Sequence, residues 1–159
     1  WDFSILSKNC KIIGNLPYYL SSPILFHFLN IQKWERMVLM FQKEVAERIV
    51  STPNSKSYGR LSVMCQVYTN VNIKFIVKKN IFYPRPEVDS AVVVFSPKKN
   101  NLPDMDSFSK FIKLAFSHRR KMLKNNLHNN YKIDPFKKYN NMRPEEISPI
   151  EYIKLFQLI

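Results

Sequence analysis

Apolar and polar positions change rhythm along this chain in a repeating order. Residues 10–14, CKIIG, form a short apolar run that predicts a buried strand. From about Ser22 the segment PILFHFLNI spaces its apolar residues as a helix does, with Pro23 suited to the first turn. ERMVLMF (35–41) predicts a second strand, and it runs into QKEVAERIV, where Val45 and Ile49 share a helical face and Glu44 and Arg48 pair one turn apart. A turn-rich stretch, STPNSKSYG, separates these from RLSVMCQVYTNV, which the pattern predicts as helix. NIKFIVK and SAVVVFSP have strand composition, with a FYPRP loop between them.

Alternating strand and helix units predict an α/β sheet over residues 1–97. Beyond a linker at 98–107 the rhythm changes to helix only. FSKFIKLAFSHRRKMLKNNL has apolar residues at helical spacing, and SPIEYIKLFQLI closes the chain as another helix after an NNMRPEEIS loop. Residues 98–159 therefore read as a small all-helical second domain.

Size and composition narrow the class. The chain has 159 residues, 45% of them hydrophobic, enough for one moderate core and against disorder. No apolar run approaches the roughly 18 to 20 residues of a membrane helix, so a soluble, non-membrane protein is expected. The start, WDFSILSKNCK, carries neither an initiator Met nor the features of a signal peptide, which suggests an excised piece. Cys10 and Cys65 lie far apart and form no metal-ligand spacing with His27, His118 and His128. A reduced, cytoplasmic protein without structural zinc is the expectation.

Charge is more informative. The net charge is +13, a field that favours a polyanion such as nucleic acid over a neutral metabolite. Residues 110–124 hold six basic residues and no acidic one. Read as a helix, Arg119, Arg120, Lys121 and Lys124 span more than one face, so they cannot all serve a single ion-paired stripe. Phosphate contacts suit some of them, Arg119 and Arg120 first and Lys121 and Lys124 next, against the plainer reading of a solvated helix. Arg60 in YGRL is either a phosphate ligand or part of a turn before a helix. Glu44, Glu47 and Arg48 read as a solvated face, and His27 and His118 as structural histidines.

The corner GNLPYYLSSPIL, residues 14–25, falls at the carboxyl end of the first strand, where open α/β sheets present ligand-binding groups. Asn15-Leu16-Pro17-Tyr18 resembles the NPPY-like signature of methyltransferases that act on exocyclic amino groups. The residue types fit that chemistry. An adenine N6 amine is a poor nucleophile because its lone pair is conjugated with the ring, and accepting both N–H hydrogens withdraws that conjugation. The Asn15 side-chain oxygen accepts one, and the main-chain carbonyl of Leu16 or Pro17 accepts the other, with the proline fixing the backbone direction. Tyr18 offers a flat face to a base taken out of its helix. The four-residue pattern alone equally describes a capped turn with a core tyrosine.

Five blocks in order add to this: IIGNLPYYLSSPILFHFL, MVLMFQKEVAERIV, YGRLSVMCQVY, FYPRPEVDSAVVVF and FIKLAFSHRRKMLKNNL. Together they resemble the KsgA-type small-subunit ribosomal RNA adenine-N6 dimethyltransferases over residues 10–159. The resemblance implies a partial Rossmann-like class I methyltransferase sheet with a small helical C-terminal domain. It implies S-adenosylmethionine as methyl donor, two adjacent adenosines near the 3′ end of small-subunit rRNA as substrate, and the rRNA or an immature small subunit as partner of a monomeric protein. It places Asn15 and Pro17 at the donor and Asn15, Leu16, Pro17 and Tyr18 at the target amine. Phe82 would cover the base's other face, a role Tyr83 next to it could exchange; packed core is the plainer reading of that aromatic.

The sequence departs from the family in one respect. Gly14 and Gly59 are its only glycines and neither belongs to a GxGxG loop, so the donor-binding loop and its acidic partners would lie upstream of Trp1. By that reading this chain holds the target-amine half of the site and is inactive alone. A non-catalytic RNA-binding or ribosome-assembly remnant, or a large-subunit rRNA adenine methyltransferase of the antibiotic-resistance type, are the alternatives.

Overall fold

A computed structural model describes residues 10–31, 33–99, 102–128, 130–131 and 134–159. The expected residues 1–9 of the sheet unit and part of the 98–107 linker lie outside the described residues. Four strands form one mixed sheet in the order β1-β2-β4-β3. Strand β1 (Cys10–Asn15) pairs in parallel with β2 (Trp34–Gln42), and α1 (Ser21–Ile31) makes the crossover between them. Helix α2 (Lys43–Val50) continues directly from β2, and its Glu44–Arg48 pair closes at 2.9 Å as the spacing predicts. Helix α3 (Arg60–Tyr68) then leads into β3 (Thr69–Val77), which is antiparallel to β4 (Ser90–Pro97). Strand β4 is also antiparallel to β2, so Ser90 stands opposite Gln42 on one side and Val77 on the other.

Sheet pairing corrects one boundary. TNV, expected at the end of a helix, is instead the first part of β3, because Thr69, Asn70 and Val71 pair with Pro97, Ser96 and Phe95 of β4. The Thr69 hydroxyl donates to the Cys65 carbonyl and closes the helix there.

The helical part is also interrupted. Instead of one helix over residues 108–127, α4 (Met105–Ala115) stops and a short α5 (Leu123–Leu127) follows after a turn. The buried Asn126 explains the break: its amide donates to the Ala115 carbonyl at 2.6 Å and to the His118 carbonyl at 3.2 Å. A side chain that satisfies those carbonyls replaces the helical N–H groups that would otherwise continue the ladder. The chain ends in α6 (Pro149–Phe156), capped by Ser148 and Glu151.

Helix α3 joins sheet and helices in one core. Tyr58, just before it, is buried and donates its hydroxyl to the Ile147 carbonyl, while Tyr68 at its end donates to the Pro103 carbonyl. Phe108, Phe111, Tyr152 and Phe156 pack edge-on or tilted around these helices, with centroids 5.3 to 6.3 Å apart. On the sheet side Met37, Leu39, Phe41, Val93 and Phe95 are fully buried. The core therefore lies between one sheet face and the helices, and the loops at the sheet end beyond Asn15 and Ser90 are free to build a site.

Candidate active site

Asn15 is the last residue of β1, held in register opposite Met40 of β2. Its side chain is exposed and makes no hydrogen bond to a described residue. Gly14 before it is closely packed: a Cβ there would stand 3.3 Å from Leu39 Cδ2 and 3.4 Å from Leu16 Cδ2, so the Leu39 side chain would have to give by a few tenths of an ångström. After Asn15 the chain turns at Pro17, whose carbonyl accepts the Leu20 N–H at 3.0 Å. The Ser21 hydroxyl donates to the Tyr18 carbonyl at 2.9 Å and joins this turn to α1. The Leu16 carbonyl has no such partner among the described residues.

Tyr18 is half-buried, and its hydroxyl lies 2.8 Å from Ser90 Oγ. Facing it, the β3–β4 loop brings in Phe82. A cavity of about 350 Å³ opens between Asn15, Leu16, Pro17 and Tyr18 on one side and Phe82, Pro84 and Pro86 on the other. The structure thus gathers all five residues that the sequence singled out for the target base. Tyr83 is fully exposed and outside this lining, so of the two neighbouring aromatics it is Phe82 that faces the cavity.

Among the described residues the lining contains an amide, main-chain carbonyls, prolines and aromatic faces, but no carboxylate. Such a set suits an aromatic amine and the methyl-bearing end of a sulfonium donor. A ribose diol is held best by a carboxylate, which the described lining does not supply.

The basic residues divide differently from expectation. Arg119, Arg120 and Lys121 sit in the turn between α4 and α5, not on a helix, and only Lys124 is helical. Arg119 is engaged by the fold: it donates to the Ser55 carbonyl at 3.2 Å, and its Nε faces Glu145 at 4.0 Å. Arg120 and Lys121 are exposed, and neither side chain has a partner among the described residues. Arg119 also lines a second cleft of about 590 Å³ with Arg48, Lys56 and Arg60. Arg60 is partly buried there, 5.0 Å above the Phe26 ring, and donates to Ser109 Oγ, while its buried Nε is unpartnered; burial pulls its pKa below the usual arginine range. Arg48 and Lys56 were not legible as members of this group, because residues 48–60 and Arg119 meet only in the fold.

A family model described as ribosomal RNA adenine dimethylase matches residues 3–159. The chain belongs to the ribosomal RNA adenine dimethylase family. Among curated proteins similar to this dimethylase family member, the ribosomal RNA small subunit methyltransferase A of Mycoplasma capricolum is 42% identical over 164 residues, which cover 96% of this chain and 62% of that protein. The protein of the same name from Ligilactobacillus salivarius is 43% identical over 145 residues, covering 89% of this chain and 49% of that one. The chain thus spans about half to three-fifths of the length of these relatives. A crystal structure of a dimethyladenosine transferase from Plasmodium falciparum superposes with a TM-score of 0.81 at 24% identity, over 96% of this chain and 67% of that one. The 23S rRNA methyltransferase ErmE gives 0.67 at 20% identity, over 98% and 68%. These likenesses show a class I methyltransferase fold. Among the described residues of the dimethylase chain, no helix is long and apolar enough to cross a membrane and no cluster of His, Cys, Asp and Glu is placed to hold a metal.

Proposed function

We propose that this chain is the base-gripping part of an S-adenosylmethionine-dependent rRNA adenine-N6 dimethyltransferase acting in the cytoplasm. Its substrate would be two adjacent adenosines near the 3′ end of small-subunit rRNA, free or in an immature subunit. Residues 1–97 and 98–159 are proposed as its sheet domain and its RNA-binding helical domain. One observation carries the reading: the exposed Asn15 amide, without a partner among the described residues, lines a cavity that Tyr18 and Phe82 wall with aromatic rings.

Each residue has a task in that reading. Asn15 Oδ1 accepts one N–H of the target amine. The Leu16 carbonyl accepts the other, since that of Pro17 is already engaged by Leu20. The Leu16 carbonyl is held by the backbone turn before the substrate arrives, while the exposed Asn15 amide has no competing partner among the described residues to give up as the nitrogen becomes electron-rich. Tyr18 and Phe82 hold the ring between them and set the approach angle. When bound, S-adenosylmethionine supplies the methyl group; Asn15 and Pro17 would lie along its methyl-bearing end. Arg120, Lys121 and Lys124 would meet phosphates, with Arg119 bridging them to the basic cleft.

The test is methyl transfer by the full-length protein from labelled donor to small-subunit rRNA, with the product mapped to adenine N6. Dimethylated adenosines are expected. RNA binding without transfer would overturn the proposal in favour of an assembly protein, and modification of large-subunit rRNA alone would overturn the substrate.

A further inference from the structure

The aromatic lip of the cavity sits on a loop of residues 78–89 that carries no helix or strand of its own apart from one short turn at Lys79–Ile81. A stacking residue on such a loop needs something to set its distance from the opposite wall, because small misplacements cost rate steeply. The loop has bonds of its own, the Phe82 N–H to the Lys79 carbonyl at 3.4 Å and the Lys79 ammonium to the Glu87 carbonyl at 3.0 Å, and the dipeptide Asp89-Ser90 at its far end adds those that join its two stems and reach the rest of the fold. Asp89 Oδ1 accepts the Lys79 N–H at 3.0 Å, and Oδ2 accepts from the Lys78 ammonium at 3.2 Å, so one carboxylate closes both stems of the loop. The Asp89 carbonyl accepts the Lys43 N–H at 2.9 Å, which fixes the same stem to the start of α2. Ser90, fully buried, presents its Oγ to the Tyr18 hydroxyl at 2.8 Å. The main-chain bond to Lys79 and the Lys78 ammonium keep the Asp89 carboxyl below its usual range, so the charged acceptor persists at neutral pH.

We infer that Asp89 and Ser90 are positioning residues that bracket the base slot, Asp89 holding the Phe82 lip and Ser90 the Tyr18 ring, so that the gap between the two rings is fixed from one point. Neither residue lines the cavity. Their effect is on alignment of the bound base, and the inference rests on the proposed target-base site.

The experiment uses the full-length protein. Asp89→Ala is expected to lower kcat about tenfold or more through poorer alignment, with KM for RNA changing less than about threefold because phosphate contacts carry most RNA affinity. Asp89→Asn keeps an acceptor for the Lys79 N–H and should recover turnover to within about threefold of the parent. Tyr18→Phe and Ser90→Ala remove opposite ends of one hydrogen bond, so the double variant should be no slower than the slower single one. That cycle stands even if Asp89→Ala fails to fold. Parental kcat in Asp89→Ala, or additive losses in the cycle, would overturn the bracket provided that Asn15→Ala is inactive. Full activity of Asn15→Ala would instead remove the target-base site itself.

Discussion

The Tyr18 hydroxyl and Ser90 Oγ meet at 2.8 Å across 72 positions of sequence. Tyr18 follows the edge strand β1, Ser90 opens β4, and β2 lies between those strands. The bond therefore crosses the sheet end and stops the ring from swinging out of the cavity. A corner that reads as a local turn is in fact held by a distant strand.

Asn15→Ala in the full-length protein should reduce methyl transfer by about two to three orders of magnitude, the scale of losing one fixed polar group at a reacting centre. Stability should change by no more than about 0.5 kcal/mol, since the side chain is exposed. Transfer assays and filter binding of RNA together check this; undiminished turnover refutes the role of Asn15.

Phe82→Ala should cost about 1 to 3 kcal/mol of transition-state stabilisation, the worth of one stacked base, and Phe82→Trp should restore most of it. Tyr83→Ala, outside the lining, should leave single-turnover rates near parental. Equal losses at both positions would point to a loop that acts as a whole.

Reversing charge at Arg119 and Arg120 should weaken RNA binding and flatten its salt dependence, by about one unit of slope for each phosphate that is no longer neutralised. Arg120 is the cleaner probe, because Arg119 also holds the Ser55 carbonyl and faces Glu145. Affinity measured against salt concentration decides it: an unaltered slope for the Arg120 variant returns that turn to solvent.

The α6 cap predicts a pH response. Ser148 Oγ donates to Glu151 at 2.8 Å and accepts the Glu151 N–H, so Ser148→Ala should cost about 1 kcal/mol of stability. The Ser148 hydroxyl, with the Ser148 N–H that donates to the same carboxylate oxygen at 3.1 Å, holds the Glu151 carboxyl below its ordinary value. With the folded pKa depressed, the stabilisation is complete above the unfolded value of about 4.3 and disappears as pH falls through the lower folded one. Melting temperatures between neutral pH and about 3 should fall less steeply in Ser148→Ala than in the parent. Parallel curves would exclude the linkage.

The β1–corner–α1 and β2–α2 units were legible in the sequence, as was the cluster Asn15, Leu16, Pro17 and Tyr18. Their signals are local: apolar spacing, a proline with one allowed φ, and residue types that suit one chemistry. Tertiary structure decided the rest. Thr69–Val71 became strand because β4 offered a pairing edge, and residues 116–122 left the helix because the buried Asn126 amide took its carbonyls. Arg119 beside Arg48, Lys56 and Arg60, the Ser90 bond to Tyr18 and the Asp89 carbonyl's bond to the Lys43 N–H join segments too far apart for any short window of sequence. Propensity and pattern act over a few residues; hydrogen bonds and charges that meet through the fold obey only distance in space.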